Sequence, residues 1–283
     1  MTHSNSTASV SNQLHAPDWL INPAGKVSIT VIGAGGTGGE VIDQLCRLDA
    51  TLRALNHAGL HVRLFDGDVV SESNVGRQRF SMMEVGTNKA VALINRINLF
   101  YGLRWEGVPL DFDVNSDRPS EFTITATDSA AFRHAFANIG AGMGSHLWLD
   151  FGNGSRHGQA VLGHYRPLRR TYFLRSDTGC LYLPNVIDLF SDMVDDPNDG
   201  PSCSVAEAIR AQPFGINAAL VSNAFVSIVW PLFRKGKIDT HGVLMDTHKV
   251  SMTPLSIDPA TWALLGYDAS ADHDHAAPGS AVA

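Results

Sequence analysis

The sequence predicts an α/β protein built on a mostly parallel sheet with helices on both faces, extended towards the C-terminus by further strands and a long apolar helix. Three observations predict it. Strand-like and helix-like runs alternate from Lys26 to Gly152, and a strand–helix–strand succession implies parallel strands with covering helices. The first strand passes into the first helix through Gly33–Gly39, seven residues of which five are glycine. After Gly152 the alternation stops, and strand-like runs follow without helices between them.

Taken in order, "KVSITVIGA" is a short continuous apolar run, as expected of a strand buried on both sides. From Thr37 to His57 apolar residues recur at helical spacing (Val41, Ile42, Leu45, Leu48, Leu52, Leu55), with Gly59 as a stop. "LHVRLFD" is a second strand, Asn88–Phe100 a helix, "EFTITATD" a third strand, "SAAFRHAFANI" a helix and "HLWLDFG" a fourth strand. This is a Rossmann-like succession. Beyond it, "GQAVLGHYR" and "TYFLR" read as strands, and Leu183–Pro201 as a Pro/Asp/Gly-rich loop. Val205–Phe233 reads as helical with a break near Pro213, and "GVLMDTHKVSMTPLSI" as a closing hairpin. Residues 1–24 and 268–283 are expected to be flexible tails. Between them lies a single domain, 25–267, with a nucleotide-binding half (about 26–152) and a partner or dimer half (about 153–267).

Composition narrows the function classes. A formal charge of −7 without a Lys/Arg run argues against nucleic acid as a partner. The three cysteines, Cys46, Cys180 and Cys203, form no C-x-x-C pair. A disulfide framework and a structural zinc are therefore not expected, and a reducing cytoplasm is. The N-terminus has neither a basic start nor an apolar core of a secretory signal. Ile216–Phe233, the most apolar segment, is interrupted by Asn217, Ser222, Asn223 and Ser227. It reads as a core or dimer-interface helix, not a membrane span.

The chemistry-bearing residues gather at strand ends. Gly33, Gly35 and Gly38 satisfy G-x-G-x-x-G between strand and helix, with Gly36 beside them. Glycines there let backbone N–H groups and a helix N-terminus approach a phosphate, and this suits NAD, FAD or ATP equally. Asp66 ends the second strand, where a carboxylate accepts ribose hydroxyls. A nicotinamide dehydrogenase needs nothing further, yet the chain continues "SESNVGRQRF". Ser73, Asn74, Arg77 and Gln78 there, with Lys89 at the next helix start, are cations and neutral donors suited to a polyphosphate. Asp128 ends the third strand, followed by Ser129. A carboxylate at that edge can hold Mg²⁺ on phosphates or cap the following helix.

The motif series "GAGGTGG", "DGDVVSESNVGRQRF", "GTNKA" and "TATDSAAFR" resembles the ThiF/MoeB/HesA adenylylating enzymes, bacterial relatives of ubiquitin-activating enzymes. The later "WLDFGNG", "GQAVLG" and "PSCSVAEAIRAQPFGIN" look like the ThiF-related member of the PRTRC cassette, and the resemblance covers most of residues 26–262. It implies Mg-ATP-dependent activation of the C-terminal carboxylate of a small ubiquitin-like or sulfur-carrier protein, and a homodimer. It places Gly35 under the phosphates, Asp66 on the ribose, Asn74, Arg77 and Lys89 on the phosphate chain, and Asp128 on magnesium. Arg133 matches the pattern too. The chain departs from the family in three ways. Ser129 stands where Asn is usual, the zinc-binding C-x-x-C pairs are missing, and no arginine occurs in residues 1–46, so that either Lys26 substitutes for an arginine reaching a partner's site or that contact is absent.

Some relatives transfer the acyl group to a cysteine. Cys203 precedes Ser204-Val205-Ala206-Glu207, a capping-box pattern that would put the thiol at a helix N-terminus and lower its pKa. A cysteine packed as a small apolar residue is the alternative, and Cys180 is a weaker candidate. Three other functions stand beside adenylylation of a carrier protein. They are adenylylation of a peptide or tRNA-borne carboxylate, a catalytically silent nucleotide-binding subunit, and an NAD-dependent dehydrogenase, which leaves Asn74, Arg77 and Lys89 unexplained.

Overall fold

The apolar run Val27–Ile32 forms the central strand of the sheet, in a computed structural model that describes residues 12–139, 146–154, 156–165, 182–195 and 215–269. In chain order the strands are β1 (Leu14–His15), β2 (Val27–Ile32), β3 (Leu60–Phe65), β4 (Glu106–Val108), β5 (Phe122–Thr125) and β6 (Leu147–Asn153). Then follow β7 (His157–His164), β8 (Lys237–Ile238), β9 (Thr240–Asp246) and β10 (Ser251–Ser256). The helices are α1 (Asp18–Ile21), α2 (Gly36–Ala54), α3 (Lys89–Tyr101), α4 (Ala130–Ala137), α5 (Val186–Leu189), α6 (Ile216–Lys235) and α7 (Pro259–Ala263).

Among the described residues, eight strands form one sheet in the order β10-β9-β7-β6-β5-β2-β3-β4. β6, β5, β2, β3 and β4 are parallel, while β7, β9 and β10 add antiparallel strands at one side. From β2 the chain moves outward to β3 and β4, then returns to the other side of β2 as β5. The reversal leaves a crevice above the C-terminal ends of β2 and β5, the place where such sheets bind ligands. One face carries α2 and α6; the other carries α4 and α5. Strand composition follows from this. β2 and β5 are covered on both faces and almost wholly buried, whereas β3 alternates buried residues with half-exposed His61 and Arg63.

Several expectations need correction. The N-terminal tail does not extend to residue 24: Leu14–His15 pairs with Lys237–Ile238, and Leu14 and Leu20 are buried. A two-residue strand has no period to read. β4 was also missed, a three-residue edge strand parallel to β3. Within the segment read as the loop Leu183–Pro201, Val186–Leu189 is helical, capped by Asn185, whose side chain accepts from the Ile187 and Asp188 N–H groups. The "TYFLR" strand and the Val205–Pro213 part of the helical stretch lie outside the described residues, while the closing hairpin is present as β9–β10.

The apolar helix is continuous over Ile216–Lys235 and long enough to cross a membrane, with half of its most apolar stretch buried within the protein. Its turn at Phe225–Val229 is widened to π geometry just before Pro231. Proline has no N–H to offer Ser227 O and its ring crowds that carbonyl, so the helix opens there instead of closing a normal turn.

Candidate nucleotide site

The glycine loop is built by close approach. Gly33 has a positive φ of 97°, and a Cβ on it would lie 2.6 Å from Ala126 O. A Cβ on Gly38 would overlap Gly33 O. These two positions require glycine for the turn and for packing α2 against β2. Gly35 is the N-cap of the 19-residue α2 and Gly36 its first residue, and no side chain caps this N-terminus. The first N–H groups of α2 therefore face the crevice with the positive end of the helix dipole behind them.

Asp66, at the end of β3, supports the loop directly. Its Oδ2 accepts from Ala34 N–H at 2.6 Å and its Oδ1 from Asp68 N–H at 2.9 Å. Burial raises its pKa above the ordinary carboxylate value, against the opposing pull of these two N–H groups and Lys89. Lys89 is 8% exposed, and its amine donates to Asp68 Oδ2 at 2.7 Å. The Asp68 side chain is 73% exposed. Asn88 fixes this corner: its Nδ2 donates to the carbonyls of Asp66 and Asp68, and its Oδ1 caps α3 by accepting from Val91 N–H. The family resemblance implies a place for Lys89 on the phosphates; in this structure its amine reaches Asp68.

The polar segment after β3 folds into a single turn of 3₁₀ helix, Glu72–Asn74, and then runs back over the glycine loop. Asn74 is buried and accepts from Ser71 N–H at 2.9 Å, while Ser73 Oγ pairs with Ser71 Oγ. Thus Asn74 shapes the loop that carries Arg77 and Gln78. Arg79 anchors the far end by an ion pair to Glu40 on α2 at 2.7 Å. Between these anchors, Arg77 Nε and Gln78 Oε1 are buried and have no hydrogen-bond partner. Each such orphan costs about 1–3 kcal/mol, so two side by side mark a place that a ligand completes. Gln78 Nε2 lies 3.9 Å from where a Gly35 Cβ would be, at the uncapped end of α2.

Asp128 is exposed above β5. It does not cap α4; Ser129 does, its Oγ accepting from Phe132 N–H at 3.1 Å. Arg133 is buried beneath them. Its Nε bonds both oxygens of the fully buried Asp150 at 2.9 and 3.0 Å, and its Nη2 donates to Thr127 O and Phe151 O. Arg133 is thus a support that holds the Thr127–Asp128 turn in place. Among the described residues no hydrogen bond or ion pair joins Lys89 to Asp128; both stand at the C-terminal edge of the sheet, on opposite sides of β2.

Three contributors escaped sequence reasoning. Asp195 accepts from Ala130 N–H and, at 3.4 Å, from Ala131 N–H, so α4 is capped by an acid from 65 residues away. Asn153, at the end of β6, accepts from Thr37 Oγ1 on α2 at 2.9 Å. Asn217, in the first turn of α6, rests its Nδ2 on Gly36, and its Oδ1 is buried without a partner. "FGNG" and "GIN" in the sequence placed these asparagines at element ends, the one local sign available.

Among the described residues no group of three or more His, Cys, Asp or Glu could hold a metal. One exposed carboxylate, Asp128, suits a magnesium ion that keeps waters and rides on phosphates. Cys46 is buried, and burial raises its thiol pKa to about 11, which makes it inert. Cys180 and Cys203, the thioester candidates, lie outside the described residues.

A cleft of about 510 Å³ lies on the α4 side of the antiparallel strands. Its floor includes His157, Gln159, Leu244 and Asp246, and its wall Phe190 and Met193. Met193 O bonds His134 on α4 at 2.9 Å, so the wall continues to the helix whose N-terminus adjoins Asp128.

Solved structures of similar fold include PaaA, with a TM-score of 0.54 at 14% identity over 82% of this chain. E. coli MccB gives 0.54 at 14% over 86%, and a structure of E. coli MccB with ATP gives 0.51 at 16% over 85%. The chain spans only 64–65% of the length of these proteins. At such identity the likeness is one of fold. No curated protein matches the chain in sequence. The ThiF family model matches residues 21–147, which hold the glycine loop, Asp66, Asn74, Arg77, Lys89, Asp128 and Arg133. Over that span, from the end of α1 to the start of β6, the chain is similar to the ThiF family.

Proposed function

We propose that the protein uses Mg-ATP to adenylylate the C-terminal carboxylate of a small protein or peptide. A carboxylate oxygen attacks the α-phosphorus, the bond from that phosphorus to the pyrophosphate oxygen breaks, and acyl-adenylate and pyrophosphate result. The observation that carries this reading is the uncapped N-terminus of α2, flanked by the unpartnered Arg77 Nε and Gln78 Oε1. A dinucleotide oxidoreductase needs the glycine loop and Asp66 but not a half-buried arginine with an unpartnered Nε beside the start of α2.

In this reading α2 and Arg77 bind the polyphosphate, and Asp66 takes the ribose while retaining the Ala34 N–H. Lys89 exchanges the solvent-exposed Asp68 for a phosphate oxygen. Asp128 would hold magnesium, which supplies charge neutralisation on the phosphates. The carboxylate arrives from the side of β7 and β9, where the 510 Å³ cleft accommodates an extended tail but not a folded domain. A carrier protein with a flexible tail and a free peptide fit this cleft equally. The peptide reading gains support from the solved structures of E. coli MccB with MccA, one of similar fold at a TM-score of 0.51.

The test is ATP–pyrophosphate exchange with synthetic peptides ending in Gly-Gly and with candidate ubiquitin-like proteins. Exchange that depends on the added carboxylate and is lost in Asp128→Ala supports the reading. Tight ATP binding without exchange for any carboxylate favours a silent subunit. NADH binding without ATP binding sinks adenylylation.

A further inference from the structure

α6 begins at the glycine loop. Its second residue, Asn217, rests Nδ2 where a side chain on Gly36 would be, and further along the two helices, away from the loop, Gln44 Nε2 donates to Ser222 Oγ at 3.1 Å. Asn217 Oδ1 is buried and has no partner. It therefore joins Arg77 Nε and Gln78 Oε1 as a third orphaned polar atom around one helix N-terminus. A Cβ on Gly36 would also lie 3.9 Å from Arg77 O, so the asparagine and the arginine loop flank the same residue of α2.

A spacer between α2 and α6 has no use for an amide. An apolar side chain of similar length would fill the contact and leave no buried oxygen unsatisfied. An amide at the positive end of a 19-residue helix has a use only if something polar comes there. Rotation about its Cβ–Cγ bond offers either the NH₂ or the carbonyl to that visitor.

We propose that Asn217 contacts the polyphosphate end of the nucleotide, so that the C-terminal half of the chain supplies part of the phosphate site. The NH₂ donates to a phosphate oxygen, and the carbonyl accepts from water hydrating the phosphates. The inference rests on the ATP reading above and adds to it a neutral donor from outside residues 33–133.

Binding of ATP, AMP and adenosine to Asn217→Ala, Asn217→Asp and Ser222→Ala proteins, by calorimetry with magnesium present, tests the proposal. Loss of one donor to a charged phosphate predicts about tenfold weaker ATP binding in Asn217→Ala. Asn217→Asp, which sets a negative charge against the phosphates, should weaken ATP further. Adenosine affinity should stay within about twofold in both variants, since adenosine carries no phosphate charge. Ser222→Ala disturbs the same helix pair away from the loop and should bind all three ligands like the parent. Unchanged ATP affinity in both Asn217 variants overturns the proposal alone. So does a parallel loss of ATP and adenosine binding that Ser222→Ala reproduces, which is the mark of a packing role. A parent protein that binds no nucleotide overturns the ATP reading and this inference together.

Discussion

Two helix N-termini look into the same crevice and are finished in opposite ways. α2, above β2, begins at Gly35 with no side-chain cap. α4, above the neighbouring β5, has three of its first N–H groups taken, Phe132 by Ser129 and Ala130 and Ala131 by Asp195. Proteins ordinarily cap helices because orphan N–H groups are costly. The contrast teaches that the exposed donors of α2 are a retained cost, kept where a ligand's oxygens can be received, whereas α4 is closed by the protein's own oxygens and serves to hold Asp128 in position.

The strongest challenge to the supporting role of α4 is removal of its buried guanidinium. Arg133→Met leaves Asp150 charged and buried, and should cost about 3–5 kcal/mol in urea denaturation. Adding Asp150→Leu should recover most of that stability, because an apolar pair replaces an ionic one. ATP affinity should stay low in the double variant, since the bond to Thr127 O is not restored.

Acid should act on the other side of the sheet. Burial lowers both His164 and His241 from 6.5 to about 4, with His241 adding to the effect on His164. Both rings are neutral in the folded protein, and His241 accepts from Trp262 Nε1 at 2.8 Å. Depressed values mean stability that is complete above pH 6.5 and lost progressively as the pH falls towards 4. Urea midpoints measured across that window should fall with acid. His241→Asn should flatten the profile, and an unchanged profile in that variant would assign the acid lability elsewhere.

The sharpest test of the contrast exchanges the caps. Gly35 has ordinary φ and ψ of −70° and −156°, with nothing nearer to its missing Cβ than Gln78 Nε2 at 3.9 Å. Gly35→Asp should therefore be accommodated, cap α2 and stabilise the unliganded protein by about 0.5 kcal/mol, while abolishing measurable ATP binding. Asp195→Ala should do the reverse, lowering stability by about 1 kcal/mol with ATP affinity unaltered. Thermal melts with and without ATP read both effects. A Gly35→Asp protein that still binds ATP would mean that the open end of α2 is not the phosphate site.

Much of the parallel half was legible because its signals are local. The β2 run, the glycine spacing and the apolar spacing of α2 need no knowledge of what packs on them. Asp66 and Arg77 were legible as chemical types at strand ends. What escaped was long-range pairing. Asp195 is joined to α4 across 65 residues and Asn153 to Thr37 across 116, and nothing in the intervening sequence announces either. Lys89 was recognised as a cation near the site, yet its resting partner Asp68 follows only from how Asn88 folds the loop. The division into a nucleotide half and a partner half blurs for the same reason, because Asn217 rests on the glycine loop from the far side of that boundary.

Gly33 and Ala126 stand closer than a methyl group would permit, and Ala126 N–H is bonded to Ile32 O at 2.8 Å. The turn that carries Asp128 and the glycine turn that leads into α2 are thus one mechanical piece with no slack between them. Whatever displaces one must displace the other. Ligand arriving at the α2 end would be felt at Asp128 without any hinge or relay, and a substitution on either turn should be judged by its effect on both.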